Sequence, residues 1–394
     1  MPRPLRTLFL HYGGDWKRGT ETVLLAMMER LDREHITPVV ACNQERIAEA
    51  VRRLDVPAYV VDRPRVMLAG RRSQFQVLRW LRTVAHVGRL VREQGVAGIV
   101  CMNGQPSQVA YYAAHLHGLP CLSYLHSFYD RRFVYLYRLN RVPHLIFCSA
   151  AIRSSIRSKA ALRGESYVVH NGVDTEFYTP AKADERAEST LRRSLNSPDR
   201  VVIGQVGSLI HRKGIDVLLK AAKQLLDEGK PIHIALVGSG PDESSYRRMA
   251  HELGIADVVT FHGDVGDPRR FYRELFDIHV LASREEAFGL TLLEASSCGL
   301  PNVGARTGGI PEVISEGFSG FTFESENPAD LAEKLRTLID RKATRHTMGA
   351  NARELATARF SLRNQIAGVE EVILRAVGRS DADLARDHPT IRPI

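Results

Sequence analysis

The chain is as informative in what it lacks as in what it carries. No run of its 394 residues approaches the ~18 apolar positions of a membrane span. The opening apolar run, Leu5 to Leu10, is too short for a signal-peptide core and gives way at once to polar and charged residues. The expected location is therefore the cytoplasm. Cysteine is scarce: five residues, an odd number, with no C-x-x-C, and Cys42, Cys101, Cys121 and Cys148 sit inside apolar strand-like stretches. They read as reduced core residues, not as disulfides or zinc ligands. Zinc-finger spacing, an RNP-like aromatic run and a basic region with heptads are all missing, which removes the common nucleic-acid modules. No Walker pattern occurs, and the single Asp-x-Asp (Asp381-Ala382-Asp383) falls in the tail.

What is present is an ordinary globular balance, 44% hydrophobic and 25% charged, with length for two cored domains and a formal net charge of +9. That charge leaves an anionic membrane surface or a phosphorylated substrate as partners. Apolar strand-like runs alternate with helical patterns along the chain, which predicts a parallel, doubly wound sheet. In the first half these runs are Leu5 to His11, Ile36 to Ala41, Ala58 to Val61, Gly98 to Met102, Leu119 to Tyr124 and Ile146 to Ser149. In the second they are Val201 to Val206, Ile232 to Val237, Val258 to His262 and Ile278 to Ala282.

The most informative stretch is Arg284 to Pro311. A polar loop follows the Ile278 to Ala282 strand, a helix runs from Leu290 to Cys298, and Gly299-Leu300-Pro301 stops it. A second strand leads to Arg306-Thr307-Gly308-Gly309 and another helix start. Two strand-to-helix loops thus meet one edge of a parallel sheet, where α/β proteins place ligands, and each offers glycine and free amides to an anion. Glu286 lies in the first loop. Glu294 lies inside the helix, leaning toward its N-terminus, among Leu292, Leu293 and Ala295. A carboxylate there is costly unless something hydrogen-bonds it; it is either solvent-facing or a ligand to hydroxyls.

Glu286-x7-Glu294 around Phe288-Gly289-Leu290, then Gly299-x-Pro301 and Gly308-Gly309-x-x-Glu312, resembles the signature of retaining glycosyltransferases of the GT-B fold, sequence family 4. The resemblance implies an α/β protein with two Rossmann-like doubly wound domains facing a cleft. It implies a nucleotide-sugar donor (UDP-, GDP- or ADP-linked), with Glu286 near the transferred sugar, the amides of Phe288, Gly289 and Leu290 near sugar and diphosphate, and Glu294 on the ribose. It also implies a glycan or lipid-linked acceptor and no metal or other cofactor.

Other segments fit the same pattern. Gly207-Ser208-Leu209-Ile210-His211-Arg212-Lys213-Gly214 links a strand to a helix as a diphosphate-holding loop does. The family usually has arginine where this chain has Ser208, so Lys213 is the expected phosphate ligand, with Arg212 beside it as a candidate substitute. Gly13-Gly14 after the first strand permits close backbone approach to a bound group, and the resemblance puts it beside the donor phosphates; residues Asp15 to Arg18 form a basic insertion. His126 ends a strand and matches the histidine that the family sets against the sugar. The loop at Val265 matches the family's base-binding position, which acts through its backbone.

From Arg72 to Arg92, a helical wheel puts Val77, Trp80, Leu81, Val84, Gly88 and Val91 on one side. Arg72, Arg79, Arg82, His86 and Arg89 take the other, with Phe75 among them. This is either a sheet-packing helix with a solvated face or, through Arg79, Arg82 and Arg89, a dock for anionic lipid, at about 1 kcal/mol per charge. The expected organisation is an acceptor-side domain over 1–172, a hinge over 173–200 and a nucleotide-sugar domain over 201–358. A helix over 359–379 crosses back, and 380–394 is a flexible tail. Rival readings are a same-fold epimerase or phosphorylase and an idle GT-B module of a membrane assembly.

Overall fold

Strands form where the chain is apolar and β-branched on both faces. Val201–Val206 and Ile232–Val237 are buried at every position, as strands covered on both sides by helices must be. The computed structural model describes residues 4–14, 19–64, 66–67, 74–195 and 200–378. Its described residues divide into two units, one from Met1–Asn171 with Arg363–Ile394 and the other Gly172–Leu362.

In the first unit the strands are β1 (Leu5–His11), β2 (Ile36–Cys42), β3 (Ala58–Val60), β4 (Val66–Met67), β5 (Gln74–Phe75), β6 (Gly98–Met102), β7 (Cys121–Leu125), β8 (His144–Phe147) and β9 (Glu165–Val168). A parallel sheet runs β3-β2-β1-β6-β7-β8-β9, with β4 and β5 as a separate antiparallel pair. The second unit holds β10 (Val201–Val206), β11 (Ile232–Val237), β12 (Val259–Phe261), β13 (Ile278–Leu281), β14 (Asn302–Ala305) and β15 (Gly320–Phe323). They form a parallel sheet in the order β12-β11-β10-β13-β14-β15. In each sheet the winding reverses beside the first strand of the unit, between β1 and β6 and between β10 and β13. Crossovers leave in opposite directions there and open a crevice at the strand C-termini.

Most strands lie where the apolar runs predict them, and two shift. The run expected at Ile146 to Ser149 is His144–Phe147, because Ser149 instead caps helix Ala150–Arg157 by accepting the Ile152 N–H at 3.2 Å. The run expected at Leu119 to Tyr124 is Cys121–Leu125; Pro120, having no N–H, precedes it.

The wheel drawn for the basic helix is corrected. Helix Val77–Glu93 buries Thr83, Val84, Val87, Gly88, Leu90 and Val91, whereas Val77 and Leu81, expected inside, are about half exposed. Its buried residues all lie from Thr83 onward, where Val84, Val87, Leu90 and Val91 share a core with Leu8, Leu10 and Ile99 of β1 and β6. Trp80 anchors the first turn, donating Nε1–H to the Gln108 carbonyl at 3.2 Å. Arg72, the insertion Asp15 to Arg18 and the 380–394 tail lie outside the described residues.

The segment 173–195 packs on the second unit. Arg186 and Arg192 both reach Asp277 (2.5 and 3.0 Å), whose carboxylate also accepts the Val202 N–H at 2.8 Å. Replacing Asp277 with Ala strands two guanidinium groups and one amide, so we expect a loss of about 3 kcal/mol. It would be read as a lower urea midpoint of the second unit; an unchanged midpoint would contradict this account.

Candidate functional site

The loops after β10 and β13 flank the winding reversal of the second sheet, and each brings one charged side chain to it. The first loop turns through a 3-10 segment, His211–Lys213, and ends at Gly214, whose φ of 65° admits no strain-free side chain. A Cβ at Gly214 would stand 1.9 Å from the Ala282 carbonyl oxygen, so only glycine lets the two loops approach this closely. Gln205 Nε2–H holds the Lys213 carbonyl at 2.8 Å. The second loop is held by the one after β14: Gly309 N–H donates to the Glu286 carbonyl at 3.0 Å, and a Cβ at Gly308 would lie 1.9 Å from that oxygen. The backbone of Glu286 is therefore fixed from the Gly308-Gly309 loop.

With both backbones set, Lys213 Nζ and Glu286 Oε2 stand 2.5 Å apart, each side chain about 15% exposed. Ser283 Oγ–H also donates to Glu286 Oε2 at 3.3 Å. Burial alone would push the Glu286 carboxyl up, but the Lys213 ammonium, helped by Arg212 and Ser283, holds it below the usual range. Glu286 is therefore a carboxylate at neutral pH.

Arg212 is exposed, and its Nη1–H donates to the Glu285 carbonyl at 2.8 Å. Its guanidinium thus joins the two loops. Ser208 is exposed on the loop after β10. Gly289 precedes helix Leu290–Ser297, whose first N–H groups lie outside the helical ladder. The Phe288 ring is buried, edge-on to Phe360 at 5.8 Å between centroids. Its side chain is thus a core element.

Glu294 is half-buried and is not unpartnered. Tyr272 Oη–H donates to Glu294 Oε2 at 2.8 Å, and Tyr178 packs edge-on to Tyr272, 6.2 Å between ring centroids. Burial drives the Glu294 carboxyl up to about 7, the hydroxyls of Tyr272 and Tyr178 pull it down, and Asp267 adds to the rise. Val265 packs on the same cluster as Tyr272 and Phe276. Neither tyrosine stands out in the sequence: Tyr178 belongs to the stretch expected as a hinge, and Tyr272 lies in a single π-helical turn, Phe271–Leu275.

The remaining candidates belong to the first unit. His126 follows β7, its ring 4.1 Å from that of Tyr124, and burial with the neighbouring His11 lowers its pKa to about 3, against a smaller rise from Asn171. The imidazole is neutral throughout the physiological range. Gly13 does admit a close approach, but from within the protein. A Cβ there would meet Gln44 Oε1 and Glu21 Oε1 at 2.8 Å and His11 Nε2 at 3.2 Å. The carbonyls of Gly13 and Gly14 accept from Asn43, Arg63 and Gln44 side chains. Of the basic helix residues, Arg79 is paired with Asp62 at 2.8 Å, while Arg82 and Arg89 are exposed and form no ion pair among the described residues.

Comparison with known proteins adds to this geometry. Residues 17–177 match the family model described as Glycosyltransferase Family 4, and residues 187–355 match Glycosyl transferases group 1. D-inositol 3-phosphate glycosyltransferase of Corynebacterium glutamicum is 34% identical over 234 residues, 56% of this chain and 54% of that protein. The GDP-mannose-dependent alpha-(1-6)-phosphatidylinositol monomannoside mannosyltransferase of Mycobacterium tuberculosis is 28% identical over 222 residues, 54% of this chain and 57% of that protein. The chain thus spans about half the length of the curated relatives it matches. Among solved structures, Anabaena HepE in complex with UDP superposes with a TM-score of 0.80 at 23% identity, over 94% of this chain and all of that one.

The Glu294 environment yields a stability prediction. The unfolded glutamate ionises near 4.5 and the folded one near 7, so between these values the fold keeps a proton that the unfolded chain has released. The contribution is fully present below about 4.5 and is lost as pH rises through about 7. We expect the native protein to lose roughly 2–3 kcal/mol relative to Glu294→Gln between those limits, measured as diverging melting temperatures. Parallel pH profiles would contradict the assignment.

Proposed function

The chain belongs to the group 1, family 4 glycosyl transferases with the two-domain GT-B fold, and on that premise we propose that it moves a sugar from a nucleoside diphosphate sugar to an acceptor with retention at the anomeric carbon. The observation that carries the reading is the Lys213–Glu286 pair, set by backbone contacts at the winding reversal of the second sheet.

The chemistry follows from charge. As the bond to the diphosphate breaks, the leaving group gains negative charge and the sugar becomes cationic. Lys213 and the free amides at Gly289 and Leu290 stabilise the first; the ionised Glu286 grips the hydroxyls of the second. Donor binding therefore divides the pair: the ammonium turns to phosphate and the carboxylate to sugar. The acceptor attacks the face the diphosphate leaves, and a leaving phosphate oxygen takes its proton. Neutral His126 serves as a hydrogen-bonding group to the sugar. Glu294 accepts from the ribose hydroxyls, with Val265 at the base. No metal is part of this reading, and chelator should leave turnover intact.

For the acceptor we propose a phosphate-bearing or lipid-linked polyol, in line with the inositol phosphate and phosphatidylinositol substrates named for the two relatives. The first unit supplies a surface suited to an anionic membrane. Strands β6 to β9 are laid down in one direction, so their right-handed crossovers share one face of the sheet, and helix Val77–Glu93 packs on the first of these, Ser107–Leu116. Along the chain, no acidic residue stands between Asp130 and Glu165. Arg131, Arg132, Arg138, Arg141, Arg153, Arg157 and Arg163 form no ion pair among the described residues. Val77, Leu78, Leu81 and Tyr135 are exposed on the same layer. Unpaired cations among exposed apolar groups fit an anionic interface.

Two experiments test the reading. Glu294→Ala should weaken nucleotide binding, and binding to the native protein near pH 7 should release a proton, because ribose donors favour the ionised carboxylate. Glu286→Ala should chiefly lower turnover, at least 100-fold. Calorimetry with UDP, GDP and ADP in buffers of different ionisation enthalpy, beside turnover of their sugar conjugates, checks both; negligible effects from both variants would sink the assignment. Separately, Arg82→Glu with Arg132→Glu and Arg157→Glu should cut co-sedimentation with phosphatidylglycerol vesicles at least tenfold. Unchanged co-sedimentation would leave this face a solvated surface.

A further inference from the structure

Lys213 and Glu286 arise from different loops, 73 positions apart in sequence, so something must set their spacing before any donor arrives. Arg284 is placed to do so. Its Nη1 and Nη2 grip both oxygens of Asp216 at 2.9 and 2.8 Å, with each side chain 16% exposed. Nη1 also donates to the His211 carbonyl at 2.6 Å, and the Arg284 backbone N–H to the Arg212 carbonyl at 2.8 Å. The remaining Nε–H goes to Glu326 at 2.8 Å, a side chain 63% exposed. Thr307 Oγ1–H in turn holds the Arg284 carbonyl at 3.1 Å.

One residue of the Glu286 loop, through its side chain and its backbone N–H, therefore fastens to the two residues preceding Lys213 and, through Asp216, to the first turn of the helix following it. Arg212 returns the connection in the other direction by bonding the Glu285 carbonyl. We propose that the Asp216–Arg284 pair is a positioning brace that fixes the separation of Lys213 and Glu286, and so couples diphosphate binding to sugar orientation. This inference rests on the donor-binding reading of that site. It assigns a role to two residues whose side chains are engaged with each other and with the loop backbone.

The fork geometry makes the idea testable, because lysine keeps the charge of arginine but cannot grip two oxygens in a plane. The full-length protein is assayed with UDP, GDP and ADP for binding and with their glucose and mannose conjugates for turnover. Arg284→Lys is expected to weaken nucleoside diphosphate binding about tenfold and to lower turnover about tenfold, with a melting temperature within a few degrees of native. Asp216→Asn should do the same, and the double variant should be no worse than either single one, since both remove one interaction. Glu326→Ala, which breaks only the exposed contact, should leave both quantities within twofold. A native protein that binds and turns over none of these compounds would bring down the donor-binding reading and the brace with it. A competent native protein whose Arg284→Lys and Asp216→Asn variants work within twofold, or fail to fold, would overturn the brace alone and assign the pair to stability.

Discussion

An ammonium and a carboxylate 2.5 Å apart, where a parallel sheet reverses its winding, are the constraint around which the second unit is arranged. Two partly buried charges at this distance are tolerable only if each fully meets the other, or a ligand replaces both interactions at once. The surrounding chain excludes slack. Gly214 presses against Ala282, Gly308 against the Glu286 carbonyl, and the arginines at 212 and 284 cross between loops in opposite directions. The protein thus carries a preformed pair of opposite charges suited to a molecule that is anionic at one end and rich in hydroxyls at the other.

Below this pair lies a polar layer that is not solvated. His279 Nδ1 and Asn302 Oδ1 are 2.8 Å apart in neighbouring strands, and Asn302 donates to Ser296 Oγ at 2.7 Å. Burial, with Lys213 adding to it, depresses His279 to about 4 against the pull of Asn302, so this layer is neutral. The strands and helix Leu290–Ser297 are tied by hydrogen bonds whose loss would leave buried groups unpaired. Glu294 sits on the same helix and is held by tyrosines from distant segments. The helix therefore presents its carboxylate from a rigid base.

Much of this was legible in the sequence, and the rest was hidden for identifiable reasons. Strand runs such as Val201–Val206 and Ile232–Val237 declare themselves because full burial demands mostly apolar residues, with a single polar side chain, Gln205 or His233, in each. Glycine motifs declare themselves because backbone approach excludes every other residue. Arg284 stood at the head of the most informative stretch and carried no signal, since an arginine beside two glutamates reads as surface charge until the partner 68 positions away is seen. Tyr178 and Tyr272 were invisible for the same reason: a hydroxyl aimed at a carboxylate is a property of three-dimensional placement. The helix Val77–Glu93 misled in the other direction, because a wheel treats every turn alike, whereas only the turns from Thr83 onward carry buried residues.

The first unit is completed by a segment from the far end of the chain. Helix Leu362–Ala376 contributes Ile366, Val369, Val372, Ile373 and Leu374 to buried positions, Gln365 donates to Tyr124 Oη and Asn171, and Glu370 accepts the Asp32 N–H. During synthesis, residues 4–171 leave the ribosome long before these groups exist, and their apolar face stays uncovered while the whole second unit is made. The second unit, continuous from Gly172 to Leu362, has all its residues first. The second unit is thereby complete in sequence before the first, and a nascent chain halted just after residue 362 would hold every residue of the second unit but lack the helix that closes the first.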